Sequence, residues 1–369
     1  MSTFLFYIRT IFLHPIVFLY GFTKSFFFKK KEMCEPIDFV VTWVNGNDKE
    51  WQKEKNKYSE KNDFNHLNNG EERYRDWEQF KYWFRAVEKY APWVNKIYLI
   101  TYGHIPEWLN LNTEKLVIVN HRDYMDEKYL PTFSSIPIEL NIHKIKGLCE
   151  HFVYFNDDMF LNATVEPEDF FQNGLPLICS IASPVIPIPR NTAFWHQLFT
   201  VTGYMNRYHW EKIIGKNPAK WFSYKYGFKL KYNWETYQHN YLLGIKFTHL
   251  PQAFRKSTME KVWSIFSNEL DEACTHKFRK PQDANHQIFT IQEIVDGTYI
   301  PMADTYYGKV FSNIPRKLNE IIKEIIHGYL KFICINDTED VFESEFDYLK
   351  DSINRAFEEK FPNKSKFEK

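Results

Sequence analysis

The sequence predicts an α/β protein built on a mainly parallel sheet with helices on both faces. Two observations carry that expectation. From residue 36 onward, short β-rich runs alternate with stretches of helical period. The 369 residues, 44% hydrophobic and 18% aromatic, are also enough to bury a large core and too apolar for a disordered chain. The size allows either one elaborated domain or a core domain carrying a substantial insertion.

The first 28 residues, MSTFLFYIRTIFLHPIVFLYGFTKSFFF, are dense in Phe, Leu, Ile and Tyr and are followed by Lys29, Lys30 and Lys31. The uncharged stretch between Arg9 and Lys24 is shorter than the roughly 20 residues of a membrane span, and Pro15 interrupts it. A segment lying in the interface of the cytoplasmic leaflet, with the lysines at anionic head groups, is the expected reading. A span that tolerates Arg9, or a hydrophobic helix docked on the protein itself, are the rivals. No A-x-A-like cleavage site marks a removed signal peptide.

Residues 37–44 (IDFVVTWV) read as a first buried strand ending in the turn dipeptide Asn45-Gly46. Trp77, Phe80, Trp83, Phe84, Val87 and Tyr90 recur at spacings of three and four before Pro92, which makes residues 76–90 an amphipathic helix. KIYLIT (96–101), KLVIVN (115–120) and HFVYFN (151–156) follow as strands, with ELNIHKIKGL (139–148) as a helix. Beyond Pro184 the many tryptophans and tyrosines lie among short helical stretches, expected to pack beside the sheet. PRKLNEIIKEIIHGYL is then helical, FICIN a return strand, and residues 342–357 a final helix. The expected division is a membrane-associated segment over 1–31, the first part of the core over 36–183, a helix-rich acceptor or catalytic region over 184–315, and a completing unit over 316–369.

Lys plus Arg and Asp plus Glu each total 47, so no global field draws the chain to nucleic acid, and recognition of anions must be local. The five cysteines are widely spaced and form no CxxC pair, which fits a reducing, cytosolic compartment better than a disulfide scaffold.

Asn156-Asp157-Asp158 follows a strand directly, where ligands of open α/β sheets bind. The two carboxylates either hold a divalent cation against a diphosphate, or form a turn in which Asp158 caps the next helix. Asn45-Gly46-Asn47-Asp48 has the same placement after the first strand. It reads as a loop bringing amides to phosphate, or as a turn with Asp48 as an N-cap. Arg73, Arg75 and Asp76 precede the periodic helix as ligand contacts or as a solvated cap and ion pair. His196 offers a general base or a packed imidazole. His276, Arg279 and Asp283 group polar side chains suited to phosphate or to the surface. Asn336-Asp337 closes the return strand as site or turn. No GxSxG elbow or P-loop is present, and carboxylate, Arg, His and Asn together suit phosphoryl chemistry better than acyl transfer.

Four stretches in order resemble the conserved regions of the Stealth family, bacterial capsule phosphotransferases and the catalytic subunit of GlcNAc-1-phosphotransferase. They are IDFVVTWVNGNDKEW; RYRDWEQFKYWFRAVEKYAPWVNKIYLIT through GHIPEWLNL, LPTFSSIPIELNIHKIKGL and HFVYFNDDMFL; a looser third region over roughly 189–283; and CINDTED with FPNKSKFE. Trp77 stands where the family usually has Asn, and the third region is aromatic-rich and divergent.

The resemblance implies a Rossmann-like core, a divalent metal (magnesium or manganese), and transfer of hexose or N-acetylhexosamine 1-phosphate from a nucleotide diphosphosugar, expected to be a UDP-sugar, to an oligosaccharide or polysaccharide hydroxyl. It further implies His196, Asp158 and Arg279 as catalytic residues and Asp157 with Asp158 as metal ligands. Asn45, Asp48, Arg75, Asp76, Glu139 and Asn336 are its implied substrate contacts. The enzyme is expected on the inner face of the plasma membrane. The rival readings are a metal-dependent glycosyltransferase releasing a nucleoside diphosphate, and a non-catalytic glycan-binding protein.

Overall fold

The computed structural model describes residues 12–30, 32–59, 74–187, 193–303, 308–338 and 340–369. Residues 1–11 and Lys31 of the N-terminal segment, and Arg73, lie outside them. The strands in chain order are β1 (Ile37–Thr42), β2 (Ile97–Thr101), β3 (Leu116–Asn120), β4 (His151–Asn156), β5 (Met159–Leu161), β6 (Phe171–Gln172), β7 (Leu175–Ile178), β8 (Gln252–Arg255), β9 (Ile300–Pro301), β10 (Gly308–Phe311) and β11 (Phe332–Ile335).

The central sheet has the order β3-β2-β1-β4-β8, with β1 to β4 parallel and β8 antiparallel against β4. The apolar runs lie here because both faces are covered. Val40, Tyr98, Ile100, Phe152 and Tyr154 enter one hydrophobic core, while Phe39, Val41, Ile97, Leu99, Val153 and Phe155 enter the other. The β1–β4 register pairs Val41 with Phe155 and Thr42 with Asn156. The strand order reverses between β2 and β4 around β1, so the carboxyl ends of β1 and β4 flank the switch point where open α/β sheets bind ligands.

Several expected elements differ. The amphipathic helix spans Phe80–Tyr90, not 76–90, because Glu78 takes a left-handed φ of 56° and Asp76 Oδ1 accepts its amide at 2.7 Å, turning the chain before the helix starts. The helix placed over 139–148 is instead Ser135–Leu140 followed by a short turn, Ile142–Lys144. Ser134 caps its start, the Asn141 amide donates back to Pro137 O, and Gly147 has a φ of 82°. The return strand β11 belongs to a second sheet, parallel to β10 and antiparallel to β5, so it does not join the central one. The helix-rich region contributes β8 to the central sheet's edge, so that span is built into the core.

The helix His14–Ser25 docks on the protein through one stripe. Phe18 packs on Phe222 and Trp234 at ring separations of 5.0 and 5.5 Å, His14 lies 4.5 Å from Tyr237, and a Cβ on Gly21 would fall 2.6 Å from Pro218 O. Of the three readings of the N-terminus, the described part thus takes the docked form, and no described helix is long and apolar enough to cross a membrane.

Candidate active site

A cavity of about 740 Å³ opens at the carboxyl ends of β1 and β4. Its floor is made by the turn Asp157-Asp158, which links β4 directly to β5. No helix follows Asp158, so it caps none. Because β5 pairs with β11, and Ile335 N donates to Asp158 O at 3.0 Å, the strand end carrying Cys334, Asn336 and Asp337 is brought against that turn from 176 residues away. On the other side, the segment before β8 delivers His249, since β8 runs antiparallel beside β4.

The result is one connected polar network. His249 Nε2 lies 3.4 Å from Asp158 Oδ2 and 3.4 Å from Asn156 Nδ2. The Tyr154 hydroxyl sits 2.7 Å from Asn156 Oδ1 and 3.2 Å from Glu139 Oε1. Glu139 Oε2 is 2.6 Å from His286 Nδ1, and His286 Nε2 is 3.2 Å from Gln252 Nε2. The Gln252 amide donates to Nε2, which leaves the proton on Nδ1 facing the carboxylate.

Electrostatics follow from this packing. Asp157 is exposed to the open cavity, with protein atoms crowding its walls. Desolvation by that crowding, then the neighbouring Asp158 and Asp76 carboxylates, pushes its pKa up to about 7. Burial would also raise Glu139, but His286, Arg279 and Ser135 outweigh it and hold Glu139 below the usual carboxylate range. For His249, burial pulls the pKa down, and the Asp158 carboxylate overcomes it to give a net rise. Burial, then Asp158, keeps the Cys334 thiol protonated, so it donates to Asp158 Oδ2 at 3.3 Å.

The residues named from sequence fall into two groups. Arg75, Asp76, Glu139, Asp157, Asp158, Arg279 and Asn336 all line the cavity. Arg279 donates to Ser135 Oγ at 2.6 Å, on a loop folded by the His276–Asp283 contact of 2.6 Å. Arg75 is committed to Asp337, with contacts of 3.0 and 3.1 Å, and donates to Val341 O, which makes it a brace of the cavity wall. Asn45, Asp48 and His196 do not line the cavity.

Asp48 accepts the Trp51 amide at 2.8 Å as the N-cap of the helix Lys49–Tyr58, and Asn45 Oδ1 accepts the Asn47 amide. Gly46 serves close approach to Tyr74, whose carbonyl would lie 1.9 Å from an added Cβ. On the helix Ala193–Met205, Phe194, Trp195 and Gln197 line the cavity. At about 100° per residue, His196 then points to the opposite side.

Sequence reasoning missed His249, His286 and Tyr154. His249 stood in THLPQAFRK without a flanking acidic signal, and only the pairing of β8 with β4 reveals its neighbours.

Comparison with known proteins places the chain among characterised relatives. Residues 35–63 match conserved region 1 of the Stealth proteins, 73–177 match conserved region 2, and 248–287 match conserved region 3. The third match thus begins beside His249 and excludes His196. The chain is 44% identical to the capsular polysaccharide phosphotransferase WcwK of Streptococcus pneumoniae, over 91% of this chain and 100% of that protein. It is 40% identical to the receptor polysaccharide phosphotransferase WefC of Streptococcus gordonii, over 91% and 100%. It is 37% identical to the exopolysaccharide phosphotransferase cps2G of Lactiplantibacillus plantarum, over 90% and 96%. Among solved structures, the galactosyltransferase LgtC with donor and acceptor sugar analogues aligns over 85% of this chain and 95% of that one at 10% identity and a TM-score of 0.34, too weak a likeness to bear on activity.

Proposed function

Because the chain belongs to the Stealth family of polysaccharide phosphotransferases, we propose that it transfers a hexose or N-acetylhexosamine 1-phosphate from a nucleotide diphosphosugar to a glycan hydroxyl, leaving a phosphodiester in a capsular or exopolysaccharide. The chain is a transferase enzyme. The observation that carries the chemistry is the meeting of His249, Asp157, Asp158 and Arg279 in one cavity at the switch point of the sheet.

The acceptor oxygen attacks the sugar-bearing phosphorus of the donor. A new O–P bond forms, the bond from that phosphorus to the bridging oxygen breaks, and a nucleoside monophosphate leaves with the electron pair. His249 Nε2 takes the hydroxyl proton, in place of His196, and Asp158, 3.4 Å from that same nitrogen, stabilises the imidazolium that forms. Arg279, anchored on Ser135, balances the charge spread over the phosphoryl oxygens. The Glu139–His286 pair and Tyr154 keep Asn156 and hence His249 in position. Trp43, Trp77 and Trp195 supply aromatic wall against which sugar rings stack.

A divalent cation, magnesium or manganese, suits the floor of the cavity. Asp158 Oδ1 is buried without a hydrogen-bond partner among the described residues, and Asp157 stands exposed in the cavity beside two further carboxylates. Asp158, His249 and Cys334 present ligand atoms within 4.8 Å of one another. With its thiol protonated, Cys334 is a poor ligand, so the hard oxygens of Asp157 and Asp158 would hold the ion. Bound there, it would neutralise diphosphate charge. The donor is expected to be a UDP-sugar, and the enzyme is expected to work at the cytoplasmic membrane surface.

The test is the nucleotide released from UDP-, GDP- and CDP-sugars with magnesium and an oligosaccharide acceptor, separated by anion exchange. Acceptor-dependent nucleoside monophosphate is the expected product. Nucleoside diphosphate would replace this reading with glycosyl transfer, and the absence of any product would overturn it.

A further inference from the structure

We infer that the outward face of the helix His14–Ser25, continued by Phe26–Phe28 and by the Tyr224–Lys229 segment, is a bilayer-contacting surface that lies flat on anionic lipid. The inference rests on the membrane association in the proposed function and assigns it to particular atoms. His14, Val17, Phe18, Gly21, Phe22 and Ser25 form the docked stripe, with His14, Gly21 and Ser25 buried and the three apolar side chains partly so. A water-facing helix carries polar residues on the other side. This one carries Leu13, Ile16, Leu19 and Tyr20, exposed by 47, 63, 59 and 54%. Thr23, the one uncharged polar side chain on that side, returns its hydroxyl to Leu19 O at 2.8 Å, so it asks nothing of solvent.

The apolar surface continues beyond the helix. Phe26 stacks on Tyr224 at 4.4 Å, and the Tyr224 amide donates to Ser25 Oγ at 3.0 Å, which ties the two distant segments together. Phe27 is 78% exposed, and Phe228, beside the positive-φ Gly227, is fully exposed. A contiguous apolar surface of this kind on a folded protein marks an interaction site.

The charge pattern selects the occupant. Lys24, Lys29 and Lys30 are exposed along the same segment, and residues 12–30 contain no acidic side chain. Apolar and aromatic residues interspersed with lysines over 12–30 complement an acyl boundary beneath anionic head groups. The structure also separates two roles of the N-terminal segment. Its inward stripe covers Phe222, Trp234 and Tyr237, so removing residues 1–31 would strip the fold as well as the membrane contact.

The experiment is flotation of the full-length chain with phosphatidylcholine vesicles and with equimolar phosphatidylcholine–phosphatidylglycerol vesicles, comparing wild type with Leu19→Asp and Phe27→Asp. Both substituted side chains face outward, so the variants keep the wild-type melting temperature and turnover on a water-soluble acceptor. Wild type binds the anionic vesicles, and each variant binds about tenfold less or weaker still. Equal binding by wild type and variants would overturn the surface assignment. Failure of wild type to bind either vesicle would overturn membrane association itself and leave the phosphotransfer reading standing. Lipid-free self-association of wild type that the variants lose would make the face a contact between copies and would also overturn the inference.

Discussion

Exchanging the proton acceptor is the sharpest test of the site. His249→Asn keeps a polar side chain beside Asp158 and Asn156 but removes the imidazole that sits 3.4 Å from each. A positioned general base contributes about 10²–10⁴ in rate. Both contacts are at the long end for a structure without substrate, so a loss of about 10²–10³ in kcat is expected, or about 3–4 kcal/mol in the barrier. The donor KM should change little, because the imidazole acts on the acceptor.

The comparison variant is His196→Asn, whose side chain points away from the cavity across the helix Ala193–Met205. Its kcat should stay within about threefold of wild type, below about 0.7 kcal/mol. Both are read as acceptor-dependent nucleoside monophosphate release under saturating donor. A His196 variant that loses a hundredfold while the His249 variant stays active would refute the reasoning about which face of each element meets the cavity.

Exhaustive chelation should abolish turnover, and magnesium or manganese should restore it, with Asp157→Asn and Asp158→Asn each raising the metal concentration required by at least about tenfold in titrations. Unchanged metal dependence in both variants would remove these carboxylates as ligands. Arg75→Ala leaves the Asp337 carboxylate, 8% exposed, without its guanidinium. Since Arg75 is itself 20% exposed, the cost should fall below that of a fully buried pair, at about 2–3 kcal/mol in chemical denaturation.

Two histidines set a pH dependence. Burial, reinforced by His104, lowers His121 to about 4, and burial, reinforced by Lys144 and Lys256, lowers His143 to about 4. Both pKa values lie below the unfolded value of 6.5, so their stability contribution is complete above that pH and is lost as pH falls toward 4, at about 1.4 kcal/mol per unit for each. Denaturation between pH 6.5 and 5 should therefore be flatter for His121→Gln and His143→Gln than for wild type. Parallel curves would show that neither group is held neutral.

Much of the fold is legible in local pattern. Strands β1 to β4 are apolar runs because both sheet faces are buried, and HFVYFN coincides with β4 end to end. The helices Phe80–Tyr90 and Ile314–His327 announce themselves by a stripe that meets a core on one side only. Less legible were ends decided by a single backbone group. Glu78 could not be read as left-handed from its residue type, and β8 is a four-residue edge strand whose ladder partner is β4.

The carboxylate turn and the family motifs are contiguous in sequence, so Asp157 and Asp158 were visible as a candidate site at a strand end, and the resemblance of the motifs implied the reaction class. Local spacing also determined that the chain alternates strand and helix, while it left open whether the N-terminal segment spans a bilayer, lies on it or docks on the protein. Tertiary structure decided which groups meet. Antiparallel pairing of β8 sets His249 beside Asp158, and pairing of β11 with β5 sets Cys334 and Asn336 there. Helical rotation carries His196 away from a cavity its neighbours line. The two strand pairings depend on register between segments about 90 to 180 residues apart, and no local propensity encodes a register of that range.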